Sequence, residues 1–81
     1  MCTMHAPVAT ASGERIEDSS TIDVSELGVR LRLRGQIVPG QIVDVFMSPH
    51  PERCRVVWTW PIGFTGELMA GLEFIRPLSD L

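Results

Sequence analysis

The chain has 81 residues and a formal net charge of −3, with a pI near 5.2. That length allows one domain with a modest core. The acidic balance argues against a nucleic-acid polymer as partner. No apolar run approaches the length of a membrane span, and no basic start leads into an apolar stretch. A cytoplasmic protein without membrane insertion is therefore expected. Cys2 and Cys54 do not form a Cys-x-x-Cys pair and read as reduced thiols.

Residues 1–19 are rich in Ala, Ser and Thr and show no clear period. They read as a flexible N-terminal arm, with residues 20–81 as the folded domain. Residues 21–24 are short and β-branched, which suits a strand. Ser25-Glu26-Leu27-Gly28 then turns the chain; Gly28 can take a positive φ there, and Asp and Ser side chains satisfy turn backbone groups. Over residues 29–34, Val29, Leu31 and Leu33 alternate with Arg30, Arg32 and Arg34. Period two predicts a strand with one buried and one wet face.

Pro39-Gly40 suits the centre of a type II turn. A strand over 41–47 places Ile42, Asp44 and Phe46 on one face, which predicts cover at one end or contact from the arm. Pro49 and Pro51 mark a loop. Residues 53–60 read as a long strand with Cys54, Val56, Trp58 and Trp60 on one face. A turn-rich loop over 61–66 carries Ile62 and Phe64. A last strand over 67–75 turns Ala70, Leu72 and Phe74 inward, Pro77 ends it, and 78–81 form a short tail. About five antiparallel strands at this spacing give an all-β fold, a small sandwich or barrel.

The pattern Asp23-x-Ser25-x-x-Gly28, followed by Val29-Arg30-Leu31-Arg32-Leu33, resembles the second signature motif of PilZ domains, small bacterial β-barrels. The resemblance continues through Pro39-Gly40-Gln41-Ile42-Val43, Arg55-Val56-Val57-Trp58 and Ala70-Gly71-Leu72-Glu73-Phe74. It implies a partly open PilZ-like barrel and a role in second-messenger signalling through cyclic di-GMP. An ionised carboxylate only accepts, so Asp23 suits the N–H donors of a guanine edge, and the Ser25 hydroxyl can donate or accept beside it. Gly28 allows a flat base close to the backbone. In the family the matching Asp, Ser and Gly positions hold a guanine in this way.

The family's first motif, Arg-x-x-x-Arg, is absent. Arg15 stands upstream between Glu14 and Glu17. A bidentate arginine–guanine contact is worth about 1–3 kcal/mol. Losing two weakens binding by about thirty-fold to more than ten-thousand-fold. Arg30 is nearest to Gly28 and is the candidate replacement contact for phosphate or guanine. The competing reading pairs Arg30, Arg32 and Arg34 with surface acids such as Asp44.

The expected ligand-binding set is thus Asp23, Ser25, Gly28 and Arg30, with cyclic di-GMP as ligand and no cofactor. The alternative is a degenerate domain that acts by protein contact or as a homodimer. Trp60, Ile62 and Phe64 would then form an apolar patch, and the missing leading strand would leave an open edge. On paper, Cys2-x-x-His5 and His50-x-x-x-Cys54 supply four zinc ligands. Nothing fixes the approach of the two halves, so no metal site is expected. No nucleophile–base pairing or glycine-rich phosphate loop points to an enzyme.

Overall fold

A computed structural model describes residues 4–47 and 50–75. The chain forms seven strands: β1 (Val8–Thr10), β2 (Arg15–Ile16), β3 (Ser19–Val24), β4 (Gly28–Arg34), β5 (Ile42–Val45), β6 (Glu52–Ile62) and β7 (Glu67–Phe74), with no helix among the described residues. Every pairing is antiparallel, in the order β2-β1-β5-β6-β7-β4-β3. The expected all-β class is what forms. Residues 48–49 and the predicted 78–81 tail lie outside the described residues, as does Pro77.

The alternation in β4 does what period two requires. Val29, Leu31 and Leu33 are buried, and Arg30, Arg32 and Arg34 face out. β4 has partners on both sides, with Ser19–Val24 along one edge and Glu67–Phe74 along the other. Its apolar face meets Val43, Val45, Cys54, Val56, Ala70 and Leu72 in one core. Full burial of a Val- or Leu-sized side chain contributes about 1.5–3 kcal/mol, so this face sets the orientation of the whole barrel.

The N-terminal stretch departs from the expected loose arm. Val8 pairs with Ile16 on one side and with Val45 on the other. His5 bridges Ser20, the Ala6 N–H donates to the Ser19 carbonyl at 2.8 Å, and the Thr21 N–H donates to the Met4 carbonyl at 2.8 Å. Residues 4–10 thus run antiparallel to 15–21, and β2 and β3 are two parts of one strand interrupted at Glu17-Asp18. These pairings curl the seven-stranded sheet into the expected partly open barrel. The folded unit therefore includes residues before 20, and the leading strand is present. The physical reason is that closure here uses small side chains. Ala6, Val8, Ser19 and Thr21 are all buried, yet their mixed polarity gives almost no hydrophobic period.

Two local expectations meet the structure as stated. Gly40 has φ of 93° and the Gln41 N–H reaches the Val38 carbonyl at 3.2 Å, as a type II turn requires. The half-buried face of β5 is touched by the N-terminal hairpin: Ala9 lies opposite Asp44, and the Arg15 guanidinium sits 4.8 Å from the Phe46 ring centroid.

A third expectation fails. In β6, Cys54 and Val56 are buried, but the register shifts between Val56 and Trp58. One extra residue moves every later side chain to the other face. Trp58 and Trp60 therefore lie on the outer surface, opposite Gly71 and Met69. The bulge explains why a single face could not carry all four residues.

Because Val8 is fully buried, Val8→Ala is expected to lower unfolding stability by about 2 kcal/mol. Urea denaturation checks this; an unchanged midpoint would restore the loose arm.

Candidate functional site

Residues 25–27 link β3, which carries Asp23, to β4, which begins at Gly28, and Ser25 organises the turn. The Ser25 N–H donates to the Gly28 carbonyl at 2.9 Å. The Leu27 and Gly28 N–H groups approach Ser25 Oγ at 3.3 Å each. The Phe74 N–H then holds the Leu27 carbonyl at 2.8 Å, tying the loop to β7. These contacts are what a Ser side chain offers a turn backbone.

Gly28 is needed for a reason other than the expected one. Its φ is not positive. It sits opposite Glu73 in the β4–β7 ladder, and a Cβ there would overlap the Leu72 carbonyl oxygen. Close backbone approach across the ladder, not turn conformation, excludes a side chain.

Gly71 plays the matching part on the outer face. The Trp58 indole lies across it so closely that a Cβ would run into the ring. The indole and the loop together border an open cleft of about 400 Å³. Asp23, Ser25, Gly28 and Arg30 all line it, so the structure brings the four expected residues together. Trp58, Gly71 and Glu73 line it as well. Sequence reasoning missed Trp58 as a lining residue, because its alternation with Cys54 and Val56 pointed it inward. The tryptophan at the end of Arg55-Val56-Val57-Trp58 was in view; the bulge that re-aims it was not.

The arginines on the outer face are engaged. Arg30 Nε donates to Asp23 Oδ1 at 2.9 Å and to Oδ2 at 3.0 Å, and its Nη2 donates to Oδ2. Arg32 pairs with Glu67 at 3.0 Å, and Arg34 pairs with Asp18 at 3.4 Å. The surface-acid reading of these arginines thus holds, with different acids. Asp44 instead pairs with Arg53 at 3.2 Å, and Glu73 pairs with Arg55 at 3.0 Å. The hydrogen bonds from Arg30 hold the Asp23 carboxyl below its ordinary value of 3.8, and partial desolvation opposes them. The same bonds raise the Arg30 guanidinium. Exposed pairs of this kind contribute little to stability, because solvent screens them.

Arg15, the upstream arginine, pairs with Glu17 and covers Phe46, and it does not line the cleft. Cys54 is fully buried. Desolvation pushes its thiol up to about 12, with the Glu52 and Asp44 carboxylates adding to the effect, so it is no thiolate at neutral pH. Cys2 of the zinc pattern lies outside the described residues. No group of three or more potential ligands is clustered among those described. No helix of the described residues is long and apolar enough to cross a membrane.

A PilZ domain family model matches residues 2–80, so the chain belongs to the PilZ domain family. No curated protein and no solved structure gives a significant match.

Two outcomes follow from this geometry. Asp23 has a depressed folded-state pKa, so its contribution to stability is full above about pH 4. That contribution is lost as pH falls through the folded value. Arg30→Gln is expected to return the Asp23 carboxyl toward 3.8 and to remove this acid dependence, as read by NMR titration of the carboxyl carbon. Gly71→Ala is expected to lift the Trp58 indole from the sheet, shifting its fluorescence to the red in a Trp60→Phe background. An unchanged spectrum would mean that the indole does not rest on Gly71.

Proposed function

We propose that this PilZ domain is a cyclic di-GMP receptor module that acts by binding and protein contact, not by catalysis. The observation that carries the reading is the pairing, across one cleft, of the Asp23–Ser25 edge with the exposed indole of Trp58. A guanine presents N–H donors along its edge and a flat π-face above it. A carboxylate and a hydroxyl serve the edge, and an aromatic plane serves the face, at about 1–3 kcal/mol per stacked base. Gly71 lets the indole lie flat against the sheet at one side of that cleft.

The motif lacks its arginine pair, so the phosphates lose their usual clamp. The stacking contribution of Trp58 offsets about one of the two missing contacts by the magnitudes above. Cyclic di-GMP binding is therefore expected to be about five- to a hundred-and-fifty-fold weaker than with one further bidentate arginine.

A second reading rests on a separate observation. Trp60 is 66% exposed and Phe64 is 106% exposed, while Ile62 is half-buried. These two aromatics do not cap the barrel end, and they suit a protein contact or a homodimer by a domain that has lost its nucleotide.

Isothermal titration with cyclic di-GMP separates the readings. Heat that is abolished by Asp23→Ala and strongly reduced by Trp58→Ala is expected for a receptor. No heat at millimolar ligand would remove the receptor reading and leave the adaptor.

A further inference from the structure

The carboxylate that would read the base is already taken. Both Asp23 oxygens accept from Arg30, through Nε and Nη2. These are the acceptors a guanine edge would need. The two side chains are 50% and 49% exposed, so the pair can open without uncovering any core. An exposed ion pair of this kind is held weakly, so two N–H donors from a base can displace it.

The fate of the displaced guanidinium is set by its surroundings. Arg30 is anchored on β4 opposite Gly71, on the face that carries Trp58. The other carboxylate lining the cleft, Glu73, is held by Arg55 at 3.0 Å. A released Arg30 therefore finds no vacant carboxylate among the lining residues. Arg30 lines the same cleft, so the phosphate of a nucleotide bound there is an available partner. Charge-assisted hydrogen bonds from a guanidinium to phosphate are favoured there.

We propose that the Asp23–Arg30 pair is an internal competitor for the base, and that a ligand taking Asp23 releases Arg30 to its own phosphate. The proposal rests on the guanine reading of the cleft. It makes the site selective between a bare guanine nucleoside and a guanine nucleotide. The nucleoside takes Asp23 but leaves the guanidinium without a new partner, whereas the nucleotide recovers it as a phosphate contact.

The test titrates guanosine, guanosine monophosphate and cyclic di-GMP into the wild type, Arg30→Gln and Arg30→Lys, following the Trp58 indole N–H by NMR. Arg30→Gln is expected to bind guanosine up to about five-fold more tightly. The phosphate-bearing ligands should gain nothing or weaken, so the nucleotide preference collapses. Arg30→Lys keeps a charge but loses the fork, and should retain part of that preference. If Arg30→Gln loses all three ligands in equal measure, Arg30 orients Asp23 and does not compete, and the proposal is overturned. Unchanged affinities for all three would also overturn it, since Arg30 would then play no part. In both cases the guanine reading survives. If the folded wild type and variants bind none of the three, the guanine reading falls and takes the proposal with it.

Discussion

Burial of Val29, Leu31 and Leu33 on one side of β4 is the constraint on which this protein depends. The strand sits between β3 and β7, so its inward face fixes the register of both ladders. The same alternation sends Arg30, Arg32 and Arg34 outward. It also places Gly28, at the head of the strand, against the Leu72 carbonyl. Asp23 at the end of β3 and the turn that carries Ser25 are thereby held beside β7. A turn fixed to rigid strand ends keeps the geometry that a free loop would lose.

Closure of the barrel supports that constraint from the far side. Residues 4–10 bond to the β2–β3 strand and to β5 together. Without them, both β3 and β5 would expose ladder edges, and an open edge is a template for unwanted pairing. The closing segment is short and built from small residues, since the two walls approach each other closely. Ile16 shows the tightness from within: its side chain already fills the space above Gly35.

On the outer face, charge is balanced in place. Arg30, Arg32, Arg34 and Arg55 each have a carboxylate partner on a neighbouring strand or loop. These pairs leave no net cationic strip from the four arginines, in keeping with the net charge of −3. In the cleft one of these pairs, Asp23–Arg30, occupies the carboxylate that the proposed base would use.

The sequence by itself determined the all-β class, the orientation of β4, the type II turn at Pro39-Gly40 and the clustering of Asp23, Ser25, Gly28 and Arg30 near one loop. These are local properties: period two, turn chemistry and adjacency along the chain. Tertiary structure alone decided the rest. The bulge at Val57 depends on how β6 pairs with β7, so no alternation count could turn Trp58 and Trp60 outward. The N-terminal strand is defined by two partners distant in the chain, and its small side chains leave no hydrophobic signature. The partners of Arg30, Arg32 and Arg34 follow from cross-strand register. Gly28 owes its identity to a carbonyl 44 positions away, at Leu72, a proximity that only the folded ladder creates.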